Sequence, residues 1–370
     1  MPQSDFEFMA RAIQLAEKGL FTSDPNPRVG CVLVKDNTII GEGWHQWAGQ
    51  AHAEVNAIAD AQRRGLNVNG ATAYVTLEPC CHQGKTGPCT QALIHAGVHG
   101  IVYGMEDPFP QVAGQGLAQL QAAGMQIVGP MMEDGVRQLN PGFIKRMQKG
   151  LPFVRVKMAM SLDGRTAMAS GESKWITSAP ARRDVQHWRA RSSAIVTGIG
   201  TVLHDNPELW VRAGDLDLNE NAVQQPLRVI LDSHNRLPNA ARILHGPGSV
   251  LQILAGQVEN IEKTDMAYQR ITFTAKNGTI DLLQMLQYLA GLQCNEILVE
   301  AGATLAGQFI QQGLVDQVLI YVAPKLLGSS ARPLFDLPLD TMAAQLGLCI
   351  QDVRAVGQDW RISAILDPEA

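Results

Sequence analysis

The residues with the clearest chemistry are one histidine, one glutamate and two cysteines in the first quarter of the chain. His52 and Glu54 lie two residues apart, Cys80 follows Pro79, and Cys89 comes later. One imidazole and two thiolates form a three-ligand zinc set that leaves the fourth tetrahedral position for water. Zinc lowers the pKa of that water to about 7, and a nearby carboxylate can take its proton. These residues predict a hydrolytic site with zinc ligands His52, Cys80 and Cys89, in which Glu54 is the catalytic proton shuttle.

The order of these residues indicates which reaction the zinc serves. H-x-E followed by P-C-x-x-C is the signature of zinc-dependent nucleobase deaminases, although here eight residues separate Cys80 from Cys89. Cys81 is adjacent, and a one-residue shift of the loop would present either thiolate to the metal; the preceding Pro79 favours Cys80. Two alternatives stay open: a nucleic-acid base deaminase with an inert second domain, and a binding module whose structural zinc takes Cys81 or His82 as fourth ligand.

Alternating strands and helices are expected to position these ligands. A helix over 51–64 would carry His52 near its start, a strand over 73–77 would precede Cys80, and a helix over 89–95 would begin at Cys89. The remaining elements predicted in this half are helices over 6–19 and 117–123, a hairpin from 29–34 and 38–43, and strands over 101–103 and 125–128. The first half is therefore predicted to be an α/β sandwich around a mixed sheet.

The second half alternates again and is predicted to form another α/β domain. The polar stretch before Gly150 and Pro152 indicates a junction, which places the domains at 1–147 and 151–370. Neither 197–201 nor 302–307 has the full G-x-G-x-x-G pattern, so a standard Rossmann site is disfavoured. Strands are predicted near 153–159, 194–197, 227–232, 248–254, 296–300 and 317–322, and helices near 180–191, 281–292 and 303–312.

Composition excludes several classes of function. Of 370 residues, 46% are hydrophobic and 18% are charged, which is typical of a globular protein with more than one domain. A formal net charge of -5 gives no general basic field for nucleic acid or an anionic membrane. The N-terminus lacks a secretory pattern, and six cysteines are too few for a disulfide scaffold. We expect a cytoplasmic enzyme with no nucleic-acid or membrane partner.

Longer strings resemble a known family along nearly the whole chain. DPNPRVGCV at 24–32, HAEVNAI at 52–58 and TLEPCCHQGKTGPC at 76–89 resemble the deaminase half of the bifunctional enzymes of bacterial riboflavin biosynthesis. The longer cysteine spacing is that family's own. Three later strings resemble the reductase half of the same family: KMAMSLDGRTAMASGESKWITS at 157–178, TGIGTVLHDNPELWVR at 197–212 and EAGATLAGQFIQQGLVDQVLIYVAPKLLG at 300–328.

The resemblance implies a fold and two consecutive reactions. The fold is an N-terminal cytidine-deaminase-like α/β/α sandwich followed by a dihydrofolate-reductase-like α/β domain. The reactions are zinc-dependent hydrolytic deamination of 2,5-diamino-6-(5-phosphoribosylamino)pyrimidin-4(3H)-one, a phosphorylated small molecule, and NADPH-dependent reduction of its ribosyl side chain to ribityl. The implied cofactors are Zn2+ and NADPH, and a homodimer or higher homo-oligomer is expected.

In the deaminase half, the resemblance implies substrate contacts at Asn26, His45, His82 and Lys85. A structural role for the His45 imidazole explains that residue equally well. The sequence departs from the family pattern at Cys81, where serine is expected, and at Gly87, where proline is expected.

In the reductase half, the resemblance implies two groups of ligand contacts. Arg182 and Arg189 share a face of a predicted helix, where Arg189 is expected to grip a phosphate and Arg182 to lie on a solvated face. Lys157 and Asp163 bracket a turn, which is expected to place the lysine beside the carboxylate, and we assign both of them catalytic roles in polarising or protonating the opened ribosylimine. The substrate-side residues are Ser173, Arg189, Leu209, Arg212 and Glu300. The cofactor-side residues are Ala159, Trp175, Thr201, Asp205, Ser233, Gly302, Ala303, Thr304, Leu305, Ala306, Gly307 and Gln308.

Overall fold

The structure, a computed structural model, describes residues 3–83, 87–256, 260–263, 268–274 and 278–367. The chain divides into two compact units, Met1–Leu151 and Pro152–Ala370. None of the helices in these described ranges is both long and apolar enough to cross a bilayer.

The first unit is a five-stranded sheet between helices. The strand order is β2-β1-β3-β4-β5; β1 runs antiparallel to both neighbours, whereas β3, β4 and β5 are parallel. The elements are α1 (Gln3–Glu17), β1 (Gly30–Lys35), β2 (Thr38–Trp44), α2 (Ala53–Arg63), β3 (Thr72–Val75), α3 (Cys89–His95), β4 (Gly100–Tyr103), α4 (Gln115–Ala122), β5 (Gln126–Val128), α5 (Glu133–Leu139) and α6 (Pro141–Lys149).

Apolar side chains on both faces of this sheet hold the helices in place. Met9 and Leu15 of α1 pack against Val32 and Tyr74, while small alanines of α2 pack on the other face. A Cβ atom on Gly43 would lie 2.4 Å from the backbone oxygen of Ala53 and 2.4 Å from the nitrogen of Ala57. Glycine in β2 therefore lets the first turn of α2 approach the sheet, which sets the position of His52.

The second unit is a ten-stranded sheet in the order β11-β12-β10-β9-β8-β13-β6-β14-β17-β16. The strands from β12 to β14 are parallel, and β11, β17 and β16 are antiparallel to their neighbours. The elements are β6 (Phe153–Ser161), β7 (Arg165–Ala167), α7 (Ala179–Ala190), β8 (Ala194–Gly198), α8 (Ile199–Asp205), β9 (Leu227–Leu231), β10 (Val250–Gly256), β11 (Asn260–Lys263), β12 (Gln269–Thr274), α9 (Leu282–Gly291), β13 (Glu296–Glu300), α10 (Ala303–Gln311), β14 (Gln317–Ala323), β15 (Arg332–Pro333), β16 (Leu348–Val356) and β17 (Asp359–Leu366).

The parallel strands bring several predicted site residues to one edge. Glu300 ends β13, Ser233 follows β9 by two residues, and Thr201 lies in the helix α8 that begins directly after β8. In sheets of this kind, ligands bind beyond the carboxyl ends of the strands. The α/β class predicted for both halves is confirmed.

Candidate active sites

The three predicted zinc ligands come together although they lie on separate elements. His52 is the N-cap residue of α2, Cys89 is the first residue of α3, and Cys80 lies in the loop after β3. Their ligand atoms all lie within 4.8 Å of one another. His52 Nδ1 is 3.2 Å from Cys89 Sγ and 3.6 Å from Cys80 Sγ.

The separation of His52 from Cys80 matches a tetrahedral zinc site, and that of His52 from Cys89 is slightly shorter than such a site has. Zn–S bonds of about 2.3 Å and Zn–N bonds of about 2.0 Å require ligand atoms roughly 3.5–3.8 Å apart. A hydrogen bond from Cys89, together with the nearby His52, holds the pKa of the Cys80 thiol well below its usual value, which favours the thiolate that zinc binds. Among the described residues, Cys81 and His82 are not part of this cluster, so neither provides the fourth ligand that the structural-zinc alternative needs.

Glu54 is a buried carboxylate beside these ligands. It lies in the first turn of α2 and only 3% of it is exposed. Burial, and secondarily the charge of Cys80, raise the pKa of Glu54 to about 7. A group with this pKa can both accept and donate a proton at neutral pH.

Asn26 and His45 lie next to the metal ligands. The Asn26 amide nitrogen is 3.1 Å from His45 Nε2, and His45 Nδ1 is 3.1 Å from the Ala51 carbonyl oxygen, to which it donates. Burial lowers the pKa of His45, so Nε2 is an acceptor for Asn26. The His45 ring also packs edge-on against His52, with centroids 5.2 Å apart. His45 therefore has a structural role, and its contact with substrate stays a prediction.

A small pocket adjoins the cysteine loop. It is lined by residues 78–82 on one side and by Asp107, Val112 and Gly116 on the other. His82 thus lines a cavity that includes Cys80, whereas Lys85 lies outside the described residues. Gly87, where the family pattern expects proline, has open space around its Cα.

Glu78 and Asp107 were not among the residues predicted from the sequence. Glu78 is buried and accepts hydrogen bonds from backbone N–H groups of the segment that contains Asp107. Burial raises the pKa of Asp107, whose carboxylate accepts a hydrogen bond from Phe109 N. The only signal for Glu78 in the sequence is its position directly before Pro79 and Cys80. Its hydrogen-bond partners lie far along the chain and could not be predicted from local spacing.

In the second unit, Glu300 lies between two cations. Arg189 on α7 binds it with two hydrogen bonds, Nε to Oε1 at 2.6 Å and Nη2 to Oε2 at 3.1 Å. Lys157, the register partner of Glu300 on β6, places Nζ 3.8 Å from Oε2. Burial lowers the pKa of Lys157, although Glu300 opposes the shift. Burial alone would raise the pKa of Glu300, but Arg189 and Lys157 hold it below its usual value.

Three predicted cationic residues have partners in the structure. Glu300 accepts from two nitrogens of Arg189, and Nη1 donates to the Trp210 carbonyl at 3.4 Å, so the contact of Arg189 with a phosphate stays a prediction. Arg182 is not simply solvated, because its guanidinium stacks 4.4 Å from the centroid of the Trp175 ring. Arg212 is exposed and pairs with Asp215 at 2.6 Å, which leaves it the more accessible cation.

The expected pairing of Lys157 with Asp163 is wrong. The carboxylate of Asp163 instead accepts hydrogen bonds from Ser161 Oγ and from the backbone nitrogens of Leu327 and Gly328, at 3.1 and 2.8 Å. Asp163 therefore joins the turn after β6 to the segment after β14, because its oxygens are engaged there. The carboxylate partner of Lys157 is Glu300.

Most predicted cofactor-side residues lie at the carboxyl edge of the parallel strands. Gly302 is the N-cap of α10, so residues 303–308 form the first turns of that helix, in which Ala306 and Gly307 are buried. A Cβ on Gly198 would touch Leu305, which places the ends of β8 and α10 side by side. Thr201 and Asp205 lie on α8, and Ala159 lies on β6.

Two of the remaining predicted residues, Ser173 and Trp175, take part in hydrogen bonds. Ser173 Oγ donates to Asp205 Oδ1 at 2.9 Å, and Lys325 Nζ donates to the Trp175 carbonyl at 2.8 Å. The Trp175 ring is 63% exposed, as a ligand-stacking surface requires. Leu209 is a core residue with φ of 55°, so only its backbone is available to substrate.

Two family profiles match the chain, one in each unit. The cytidine and deoxycytidylate deaminase zinc-binding region matches residues 2–105, and the RibD C-terminal domain matches residues 152–362.

Individual proteins match over nearly the full length. The riboflavin biosynthesis protein RibD of Escherichia coli (strain K12) is 49% identical over 96% of this chain and 97% of that protein, and that of Haemophilus influenzae is 45% identical over 97% and 96%. Among solved structures, Acinetobacter baumannii RibD has a TM-score of 0.91 at 46% identity and covers 99% of both chains. A Thermotoga maritima protein described as a diaminohydroxyphosphoribosylaminopyrimidine deaminase and 5-amino-6-(5-phosphoribosylamino)uracil reductase has a TM-score of 0.87 at 33% identity, covering 98% of this chain and 99% of that one.

Proposed function

Since the chain belongs to the RibD family of bifunctional deaminases and reductases of riboflavin biosynthesis, we propose which substrates it takes and which residues act on them. The first unit, proposed as 1–147, deaminates 2,5-diamino-6-(5-phosphoribosylamino)pyrimidin-4(3H)-one. The second, proposed as 151–370, reduces the ribosyl side chain of the product to ribityl with NADPH. The observation that carries the first assignment is the convergence of His52, Cys80 and Cys89 beside Glu54.

In the deaminase, the protein residues hold the metal and move protons. His52, Cys80 and Cys89 would hold zinc, which when bound acts as a Lewis acid and makes water a stronger nucleophile. Glu54 takes one proton from the attacking water and delivers it to the pyrimidine ring nitrogen, and then takes the proton of the newly formed C–OH group and delivers it to the amine, so that ammonia departs and a carbonyl remains. Its pKa of about 7 suits both transfers.

Polar side chains around this site orient the substrate. Asn26, held by His45, presents its amide to the edge of the pyrimidine. His82, which lines the cavity beside Cys80, is the proposed contact for the ribose and phosphate. Lys85 is a further proposed phosphate contact, because it lies in the string that resembles the deaminase half of the family. Burial of Glu54 within α2 excludes bulk water from the carboxylate.

In the reductase, Lys157 is the proposed catalytic residue. Glu300 and Arg189 fix its ammonium group in the middle of β6, beside the end of β13, where it can donate a hydrogen bond or a proton to the opened ribosylimine that NADPH would reduce. Glu300 also contacts substrate, and the exposed Arg212 binds its phosphate. Asp163 acts through the loops that it joins.

Residues along the carboxyl edge of the parallel strands would hold the cofactor. Ala159, Thr201, Asp205 and Ser233 would contact NADPH, and the N-terminus of α10, formed by 302–308, would bind one of its phosphates. Trp175 supplies an exposed ring for stacking, and Arg182 packs behind it.

A second copy of this chain is the proposed protein partner. Strands β16 and β17 form an antiparallel hairpin at the edge of the sheet. Several of its large apolar side chains are exposed, with Ile350 at 62%, Trp360 at 53% and Val353 at 50%. β16 is the last strand of the ten-stranded sheet in the described residues, and exposed apolar edge strands are usually covered. We also propose a cytoplasmic location, because a reducing compartment keeps the thiols of Cys80 and Cys89 available.

The direct test of this function follows both products. Zinc-loaded protein is incubated with the diaminopyrimidinone substrate, with and without NADPH, while ammonia release and NADPH absorbance are recorded. We expect ammonia in both samples and NADPH oxidation only after deamination. Ammonia without NADPH oxidation would contradict the reductase assignment, and absence of both signals would contradict the substrate.

A further inference from the structure

Glu78 is a buried carboxylate that none of the roles above uses. It lies in the loop after β3, two residues before the metal ligand Cys80, and is 5% exposed. Its oxygens accept hydrogen bonds from four backbone nitrogens, those of Asp107 at 3.0 Å, Gly114 at 2.9 Å, Gly116 at 2.8 Å and Leu117 at 3.4 Å.

The four donors belong to one stretch, the 107–117 segment, which leads into α4. An ionised carboxylate makes stronger hydrogen bonds to N–H groups than a neutral acceptor does. The two oxygens bind different parts of the segment: Oε2 accepts from the backbone nitrogens of Asp107 and Gly114, and Oε1 accepts from those of Gly116 and Leu117. One side chain thus fixes both the beginning and the end of the segment.

Backbone packing brings the same segment against the metal loop. A Cβ on Gly116 would lie 2.1 Å from the Pro79 carbonyl oxygen and 3.1 Å from Glu78 Oε1. Glu78 N also donates to the Met105 carbonyl at 2.9 Å. The 107–117 segment and the cysteine loop therefore meet along a tight seam with Glu78 at its centre.

Both parts of the seam line a small cavity beside Cys80. Pro79, Cys80 and His82 come from the cysteine loop, and Asp107, Val112 and Gly116 come from the 107–117 segment. No residue of this segment lies in a strand, so the four hydrogen bonds to Glu78 are its main tie to the cysteine loop.

We infer that Glu78 is a positioning residue of the deaminase, which fixes the 107–117 segment against the cysteine loop and so sets the position of His82, the proposed contact for the ribosyl phosphate end of the substrate. This inference rests on the proposed deaminase site. Glu78 acts on substrate binding and not on the metal, since its oxygens bind backbone amides and His52, Cys80 and Cys89 form their own cluster.

The test compares Glu78→Gln, Glu78→Ala and Gly116→Ala with the control Glu106→Gln, which alters an exposed carboxylate next to the same segment. Each variant is assayed for deaminase kcat and KM, zinc content, thermal midpoint, and NADPH-dependent reduction of the deaminated intermediate. The Glu78→Gln side chain keeps one acceptor oxygen but turns an amide NH2 toward backbone donors. Its KM should therefore lie between those of the wild type and Glu78→Ala.

We expect KM for the diaminopyrimidinone to rise by about tenfold or more in Glu78→Ala and Gly116→Ala. In Glu78→Ala the backbone N–H groups lose their acceptor, and in Gly116→Ala the added methyl group pushes the segment away from the Pro79 carbonyl. Zinc content and reduction should match the wild type, and Glu106→Gln should behave as the wild type. A lower kcat at unchanged KM with a lower thermal midpoint would overturn the inference, since that result indicates only a smaller folded fraction. An unchanged KM in Glu78→Ala would also overturn it.

The wild-type enzyme separates this inference from the function on which it rests. If the wild type releases no ammonia from the substrate, the proposed deamination fails. If it does release ammonia and the Glu78 variants keep its KM, only the positioning role fails.

Discussion

At the residue scale, the choice between adjacent thiols defines the metal site. Cys80 Sγ lies 3.6 Å from His52 Nδ1, whereas Cys81 is outside the ligand cluster of the described residues. We expect Cys81→Ser to keep zinc and deaminase activity, and Cys80→Ser to lose both, because a hydroxyl is a poor substitute for a zinc-bound thiolate. Zinc analysis of the two purified variants measures this. Loss of zinc from Cys81→Ser would show that the loop presents the other thiolate.

Lys157 allows a second test at this scale. Lys157→Ala removes the ammonium group but leaves Glu300 paired with Arg189 through two hydrogen bonds. We expect reduction of the deaminated intermediate to fall by about 10²–10⁴, the usual contribution of acid catalysis, while NADPH affinity is retained. Stopped-flow reduction and equilibrium NADPH binding separate the two effects. Unchanged turnover would remove Lys157 from the mechanism.

Residue types and local spacing were enough to predict the zinc ligands, but partners distant in the chain were not predictable. His52, Glu54 and Cys80 belong to short motifs whose chemistry is legible in the sequence. The partner of Lys157 was misassigned to Asp163 because Asp163 is near in sequence, whereas Glu300 reaches Lys157 through the pairing of β13 with β6. Glu78 was missed for the same reason.

At the element scale, Asp163 joins two loops beside the reductase site. Hydrogen bonds from Ser161, Leu327 and Gly328 lower the pKa of Asp163 to about 2. Because this folded-state pKa lies below the unfolded value of about 3.9, its stabilisation is complete above that value and is lost as pH falls toward 2.

We therefore expect Asp163→Asn to lower the thermal midpoint of the second unit at pH about 6, and the difference from the wild type to shrink as pH falls from about 4 toward 2. Thermal unfolding of both proteins across this range measures the effect. A difference that stays constant with pH would contradict the role of the ionised carboxylate.

Elements with a strong local pattern were predicted well, and those made by tertiary contacts were not. The β1–β2 hairpin and helices α2 and α3 combine clear periodicity with turn residues at their ends. In contrast, α5 and α6 are short and interrupted at Asn140, whose side chain binds the backbone of Arg28 with two hydrogen bonds of 2.8 Å. Strand β16 was missed because most of it is exposed and lacks an alternating apolar pattern.

At the scale of the whole molecule, the exposed hairpin predicts self-association. We expect Ile350→Lys to convert the proposed homo-oligomer to monomers, because a charge in an apolar interface is costly to desolvate. The control is Leu292→Lys, which alters an exposed leucine elsewhere in the second unit. Sedimentation velocity distinguishes the states. An Ile350→Lys protein with wild-type mass in solution would place the interface on another surface.

The central claim is that two separate sites on one chain act in sequence. Glu54→Gln blocks only the first, so this variant should oxidise NADPH at the wild-type rate with the deaminated pyrimidine and show almost no oxidation with the diaminopyrimidinone. The measurement is NADPH absorbance over time with each substrate in turn. Rapid oxidation with the diaminopyrimidinone would mean that reduction does not require prior deamination by Glu54, and would contradict the account.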